Sequence, residues 1–146
     1  MSAGPSEALA SRLGYLLKHT QQRLARAAEP VVAEHGIDGR ELAVLTVLAA
    51  DYPLSQHEAA VRLGVDRTTM VALIDELEAK GLVGRHRSPE DRRKNIVQLT
   101  EAGQRSLNGA ERGRNEVERD FLAPLGDELA EQFVRALQIL ADIRHE

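Results

Sequence analysis

Two short helices joined by a tight turn are the feature that most limits how this chain can fold. Ser55 and Glu58 make a capping box, in which each side chain satisfies a backbone N–H of the other residue, so a helix begins there. Gly64 is typical of a helix end, and Asp66 follows as the cap of a new helix. This spacing predicts a helix-turn-helix.

The second of these helices has an apolar face and a polar, basic start. Its apolar residues recur at helical spacing and predict the core positions Met70, Leu73, Ile74 and Leu77. The outward or marginal residues of its first turns suit entry into the major groove of DNA, and they are Arg67, Thr68, Thr69, Val71 and Ala72. Acidic residues at 75, 76 and 78 restrict base contact to the first two turns. The alternative is a capped helix start with solvated side chains.

A basic hairpin follows. An apolar-and-basic run, 82–87, and an apolar run with polar residues, 95–100, flank the segment 88–94, where Pro89 and the charges suit a turn. Residues 85–94 carry five cations and two anions, although the whole chain has a net charge of -4. Positive charge focused on one hairpin favours a phosphate backbone as partner. The hairpin directly follows a helical segment and precedes a predicted helix start at Thr100, and this position predicts the wing of a winged helix. A solvated surface loop is the alternative when the run of cations is read alone.

The rest of the chain is predicted to be helical. We expect one long helix over 6–34, bent at Pro30, and a helix capped by Asp38 and Glu41 that ends before residue 52. Two more helices are expected at about 101–121 and 126–145. The predicted fold is thus mainly α with a small β-hairpin, a winged helix-turn-helix with long N- and C-terminal helices.

The terminal helices carry more apolar surface than a winged helix needs. We therefore expect 1–36 and 101–146 to form a helical dimerisation region and 37–100 to form the DNA-binding region, within one intertwined structural domain. The alternative is that these apolar stripes pack within a single chain.

Composition excludes several classes of function. There is no cysteine, which removes thiol chemistry and cysteine-ligated metals, and the five histidines show no paired ligand spacing. No phosphate-binding glycine loop, nucleophile elbow or zinc-protease helix occurs, so we expect no enzyme, no metal and no cofactor. No signal peptide and no apolar run long enough for a membrane span are present, which predicts a cytoplasmic, nucleoid-associated protein.

Residues 54–103 resemble the MarR family of bacterial transcriptional regulators, and weaker resemblance extends over nearly the whole chain. The shared motifs are Leu54-Ser55-Gln56, Leu63-Gly64, Leu73-Ile74-Asp75-Glu76-Leu77-Glu78, Gly81-Leu82-Val83, Pro89-Glu90-Asp91-Arg92-Arg93 and Leu99-Thr100. The resemblance implies a homodimer that reads a palindromic operator in double-stranded DNA, commonly as a repressor. Its two recognition helices would lie roughly 34 Å apart, one turn of DNA.

The resemblance also implies roles for the wing residues. In the family, the wing aspartate orients the arginine two positions later into the minor groove, which here implies Asp91 and Arg93. Residues two apart on an extended strand share a face, which agrees with that pairing. We expect Ser55 and Gln56 to anchor the DNA backbone. Phosphate contacts are expected from Arg85, Arg87, Arg92 and Lys94.

The family further implies a small phenolic or aromatic anion as effector. A cation, a phenol and an imidazole within two helical turns could hold a carboxylate and a hydroxyl, and the candidates are Arg12, Tyr15, Lys18 and His19. A solvated helix face is the alternative. The alternative to a DNA-binding regulator is a winged-helix protein-interaction module, in which the same hairpin meets an acidic protein.

Overall fold

The computed structural model describes residues 7–50 and 53–143. Helices dominate these ranges, and one small antiparallel sheet accompanies them. The elements are α1 Glu7–Ala10, α2 Leu13–Ala33, α3 Gly39–Leu48, β1 Leu54–Ser55, α4 Gln56–Leu63, α5 Arg67–Ala79, β2 Val83–Arg87, β3 Asn95–Leu99, α6 Glu101–Leu122, a 3-10 turn Ala123–Leu125 and α7 Asp127–Leu140. The predicted fold class, a mainly α winged helix-turn-helix with long terminal helices, is confirmed.

The chain forms two compact units, Met1–Ala28 with Asn115–Glu146, and Glu29–Arg114. We call them the terminal-helix unit and the winged-helix unit. Helices α2 and α6 contribute residues to both. The use of the terminal segments 1–36 and 101–146 for dimerisation stays a prediction.

The winged-helix unit holds the hydrophobic core. Its fully buried large apolar side chains come from α3, α5 and the sheet, and they are Leu45, Leu54, Met70, Ile74, Leu77, Val44 and Val97. The apolar face predicted for α5 is therefore confirmed, because Met70, Leu73, Ile74 and Leu77 are all buried. Burial of each such side chain contributes about 1.5–3 kcal/mol, so this core sets the position of α5.

The sheet has three strands, in the order β1-β3-β2. The predicted hairpin is confirmed: β2 and β3 pair antiparallel from Val83 opposite Leu99 to Arg87 opposite Asn95. Strand β1 was not predicted. It has only two residues, which pair with β3 immediately before the cap of α4, and so short a run has no alternating pattern.

Close glycine contacts bring α6 against the core of the winged-helix unit. A Cβ at Gly103 would overlap the backbone carbonyl of Leu82, and one at Gly109 would overlap the ring of His35. Thr100 caps α6, since its Oγ1 accepts from Gly103 N–H at 3.0 Å and donates to Gly81 O at 2.6 Å. The helix therefore starts directly against the turn that ends α5.

The N-terminal part of the chain forms two helices, α1 and α2, where a single helix was expected over 6–34. The described helix breaks after Ala10, because the Ser11 hydroxyl donates to the carbonyls of Glu7 and Ala8, at 3.2 and 3.3 Å. Arg12 N–H donates to Leu9 O at 3.0 Å, which tightens the turn before α2. Side-chain bonds of this kind compete with helix propagation. Residue 6 lies outside the described ranges.

The C-terminal helix is shorter than the expected 126–145. It ends at Leu140, because Asp142 takes a positive φ of 55°. Asp142 N–H donates to Ile139 O, and Ile143 N–H donates to Gln138 O, both at 3.1 Å, which is the hydrogen-bond pattern of a Schellman helix end. Residues 144–146 lie outside the described ranges.

Candidate nucleic-acid interface

The predicted cap of α4 is present in full. Ser55 Oγ accepts from Glu58 N–H at 3.1 Å, and Glu58 Oε1 accepts from Ser55 N–H at 3.3 Å. Gly64 ends the helix at a φ of 67°, with Val65 N–H donating to Ala60 O at 3.1 Å. Glycine favours this left-handed conformation, so α5 can begin three residues later. The predicted helix-turn-helix is confirmed.

Helix α5 presents its polar start to solvent. Asp66 caps it by accepting from Thr69 N–H at 2.7 Å. The side chains of Arg67, Thr68 and Ala72 are exposed, whereas Thr69 and Val71 are half-buried. The start of α5 is thus polar and open, as a helix that reads base edges requires.

The wing loop between β2 and β3 is closed by short-range hydrogen bonds. Ser88 N–H donates to Lys94 O at 2.9 Å, and Lys94 N–H donates to Asp91 O at 3.0 Å, which makes a β-turn over 91–94. The buried Ser88 hydroxyl accepts from the N–H groups of Glu90 and Asp91, at 3.3 Å each. The basic residues Arg92, Arg93 and Lys94 are exposed on this loop.

Asp91 and Arg93 pair as predicted, but the expectation that they lie on an extended strand is wrong. Asp91 Oδ1 accepts from both the backbone N–H and Nε of Arg93, at 3.1 and 3.3 Å. Both residues lie in the turn, where an aspartate side chain bonds the backbone two residues on. The pairing therefore comes from turn chemistry and not from alternation along a strand.

Arg85 is occupied by side chains of its own unit. Its Nη2 lies 2.6 Å from Asp75 Oδ1, Nη1 donates to Glu78 Oε1 at 3.1 Å, and Nε donates to Gln56 Oε1 at 3.4 Å. Arg87, two residues further along β2, is exposed. Arg85 and Arg87, both expected to contact phosphate, therefore have different surroundings on the same strand.

A cavity of about 340 Å³ lies where α4, α5 and the wing meet. It brings together several predicted DNA-contact residues from separate parts of the chain, and its lining consists of Ser55, Gln56, His57, Glu58, Ala60, Arg67, Met70, Arg93, Lys94 and Asn95. Sequence reasoning missed His57 and Asn95. Their only signal was position, next to a helix cap and at the first residue of β3. The other predicted DNA-contact residues lie outside this lining, and they are Thr68, Thr69, Val71, Ala72, Arg85, Arg87, Asp91 and Arg92.

Two carboxylates at the helix starts of this surface, Glu58 and Asp66, have pKa values below their usual range. Hydrogen bonds from the side chain and backbone of Ser55 lower the pKa of Glu58, and the nearby Lys94 and Arg62 charges add to this. The hydrogen bond from Thr69 N–H lowers the pKa of Asp66. Both carboxylates therefore hold their helix starts in the charged form, which the positive N-terminal end of a helix dipole favours.

The effector candidates lie in the terminal-helix unit, around the start of α2. Tyr15 Oη and His19 Nε2 are 3.3 Å apart, and their rings stack with centroids separated by 4.7 Å. Arg12, Lys18 and His19 are exposed, and Tyr15 is half-buried. These four share one stretch of chain but do not line the apolar cavity of about 570 Å³ in this unit, where Leu13, Leu16 and Leu17 face Phe121 and Phe133.

Within 7–50 and 53–143, no group of three or more histidine and carboxylate side chains is placed to hold a metal ion. Among the helices that the structure describes, none is long and apolar enough to cross a membrane.

Comparison with known proteins identifies the family. The sequence profile of the MarR family matches residues 35–94. A protein of Thauera aromatica described as a transcriptional regulatory protein for the hcr operon is 33% identical over 120 residues, which are 82% of this chain and 72% of that protein.

Solved structures share the fold over nearly the whole chain. The transcriptional repressor CouR bound to a 23-mer DNA duplex is 33% identical, with a TM-score of 0.89 over 96% of this chain and 99% of that one. CouR from Rhodococcus jostii RHA1 bound to p-coumaroyl-CoA is 27% identical, with a TM-score of 0.80 over 97% and 99% of the two chains. The capped helix-turn-helix, the basic wing and these likenesses together show that the chain belongs to the MarR family and is a DNA-binding transcriptional regulator.

Proposed function

We propose that this protein is a homodimeric, ligand-responsive repressor that binds a palindromic operator in double-stranded DNA. The observation that carries the proposal is the cavity shared by α4, α5 and the wing, around which Arg67, Arg93 and Lys94 converge. The starts of two capped helices, α4 at Gln56 and α5 at Arg67, line the same cavity. Cations and helix N-termini are the groups that hold a DNA phosphate and fix the register of the protein on the duplex.

Sequence is read by the first two turns of α5 in the major groove. Arg67 and Thr68 are exposed there and offer donors to base edges, while Ala72 offers a methyl group to thymine. Thr69 and Val71 border these positions. Asp75 and Glu78 follow on the same helix, so its second half lifts away from the phosphates.

The wing binds the adjacent minor groove. Arg93 enters the groove, positioned by Asp91, and Arg87, Arg92 and Lys94 pair with phosphates. Ser55 has its Oγ engaged by Glu58 N–H, so it serves as the cap that presents Gln56 to the backbone.

Dimerisation uses the terminal-helix unit. No described residue of 7–28 or 115–143 is buried, although large apolar side chains are frequent there. Those exposed are Leu9, Leu13, Leu16, Leu17, Leu125, Leu129, Val134, Leu137, Ile139, Leu140 and Ile143. So large an apolar surface marks an interface, and a second copy offers a matching surface by twofold symmetry. Replacing Leu137 by Glu should produce monomers in analytical ultracentrifugation, whereas Val61→Glu, at an exposed apolar residue of α4, should leave the dimer intact.

A small aromatic acid or its thioester is the proposed effector class. The support is the likeness to CouR, which was solved with p-coumaroyl-CoA, and the stacked Tyr15 and His19 beside Arg12 and Lys18. Thermal-shift titration with salicylate and p-coumarate should raise the Tm of the wild type and have less effect on the Arg12→Met and His19→Gln variants. Equal shifts in all three proteins would remove these residues from the site.

Operator binding is tested by selection from a random duplex library. We expect an enriched palindromic motif, bound in fluorescence anisotropy far more tightly than its scrambled version and with strong salt dependence. A winged-helix module that binds an acidic protein would enrich no motif. The proposal also implies a role in the cytoplasm on nucleoid DNA, without catalysis.

A further inference from the structure

Each of the three guanidinium nitrogens of Arg85 has a partner within the winged-helix unit. Two carboxylates of α5, those of Asp75 and Glu78, hold Nη2 and Nη1, and the side-chain amide of Gln56 accepts from Nε. The Arg85 side chain is only 21% exposed. A phosphate contact would therefore require Arg85 to leave two charge-assisted bonds, which are the stronger class of hydrogen bond.

The contact with Arg85 also determines the orientation of the Gln56 amide. Arginine has only donors, so the oxygen of the amide, and not its NH2 group, must face Nε. The NH2 group of Gln56 then points the other way. Gln56 lines the cavity with Arg67 and Lys94, so two N–H donors are available to an anion on that side.

Three elements meet at this one side chain. Arg85 belongs to β2, Asp75 and Glu78 to α5, and Gln56 to the first turn of α4. The bonds therefore tie the root of the wing to the recognition helix and to the helix before it. Without the Arg85 charge, Asp75 and Glu78 would repel each other and any phosphate nearby.

We propose that Arg85 is a positioning residue for DNA recognition: it does not touch the duplex, but holds Gln56 as a phosphate donor and fixes the wing relative to α5. This inference rests on the proposed operator binding and assigns Arg85 a role different from that of Arg87. The exposed Arg87 of the same strand is the matched phosphate-contact control.

The salt dependence of binding separates the two arginines. We expect Arg85→Met to lower operator affinity about tenfold while the slope of log K against log salt stays that of the wild type. Arg87→Met should lower the magnitude of the slope by about 0.9, the value for one lost phosphate contact. The probe is the selected duplex, and circular dichroism melting checks that each variant is folded. An equal slope change in both variants would overturn the proposal.

A double-mutant cycle tests the path through Gln56. If Arg85 acts through Gln56, the Arg85→Met and Gln56→Met double variant should bind at least about threefold more tightly than the product of the two single losses predicts. Independent losses that simply multiply would contradict the positioning role. This readout holds even if both variants lose some stability, because each is measured on the folded protein.

A second test keeps Arg85 and removes the charges of its two acidic partners. The Asp75→Asn and Glu78→Gln double variant keeps Arg85 but loses two negative charges beside the DNA. Pure electrostatics predicts the same gain in affinity for operator and scrambled duplex, whereas loss of positioning lowers the operator-to-scrambled ratio, by about threefold or more. An unchanged ratio of operator to scrambled affinity would contradict the inference. If the wild type itself shows no preference for the selected duplex, the proposed function fails instead.

Discussion

Asp91 Oδ1 accepts from both the backbone N–H and the Nε of Arg93, at 3.1 and 3.3 Å, while the Arg93 side chain is 92% exposed. The carboxylate thus orients a guanidinium that projects from the wing. Orientation before binding reduces the side-chain entropy that DNA binding would otherwise cost, which is up to about 2 kcal/mol for arginine. The interaction contributes little to folding because it is exposed.

Arg93→Ala should weaken operator binding by about tenfold or more without changing the melting temperature. Asp91→Ala should weaken it less, because the arginine remains and only its orientation is lost. Fluorescence anisotropy gives the affinities and circular dichroism gives the melting temperature. Operator binding by the Arg93 variant at wild-type strength would show that the wing does not enter the groove.

Lys94→Met should mainly reduce the salt dependence of binding. Lys94 is exposed at the edge of the cavity, so its expected partner is a phosphate and not a base. The salt slope should fall by about 0.9, with nearly equal losses for operator and scrambled duplex. Lys18→Met, at an exposed lysine of the terminal-helix unit, is the control and should leave the slope unchanged.

Gly103→Ala should destabilise the winged-helix unit by about 2 kcal/mol, because its Cβ would overlap the backbone carbonyl of Leu82, which cannot rotate away. The same carbonyl accepts from Thr100 N–H at 3.0 Å, so any shift disturbs the start of α6. Gly39→Ala meets no atom within 4 Å and should be neutral or slightly stabilising. Urea unfolding compares the two, and equal stabilities would contradict the close packing.

Lys80→Met should destabilise the protein by about 2 kcal/mol. Lys80 Nζ donates to both oxygens of Glu41, at 2.8 Å each, and to Gly36 O at 2.9 Å. Glu41 is 2% exposed and cannot recover water as a partner. Adding Glu41→Gln should restore part of the loss, since it removes the buried charge. Strictly additive losses in the double-mutant cycle would show that the buried carboxylate is not the cause.

Stability should fall in acid as Glu58 and Asp66 are protonated. The pKa of each is below its ordinary value, 4.5 and 3.8, owing to hydrogen bonds with Ser55 and Thr69. A lowered folded pKa gives stability that is complete above the ordinary value and is lost as pH falls through the folded value. Urea midpoints measured from pH 6 to pH 2 should therefore decline below about pH 4.5. The Glu58→Gln and Asp66→Asn double variant should decline less steeply.

Local chemistry made much of the fold predictable. The caps at Asp38, Ser55, Asp66 and Thr100 are hydrogen bonds between residues three apart, so the residue types alone predict where those helices begin. Helical periodicity likewise predicted the buried face of α5. The break after Ala10 and the early end of α7 were missed, because apolar spacing records neither the side-chain hydrogen bonds of Ser11 nor the positive φ of Asp142.

The sequence by itself determined that this chain forms a capped helix-turn-helix with a basic wing, since those signals lie within a few residues of one another. Only the tertiary structure decided which partners each cation of the wing contacts. Arg85 and Arg87 are two residues apart and of the same type, yet the Arg85 partners lie 7, 10 and 29 positions away in the chain. Whether a cation meets a carboxylate or solvent depends on how α4, α5 and β2 pack, and their packing depends on the whole core.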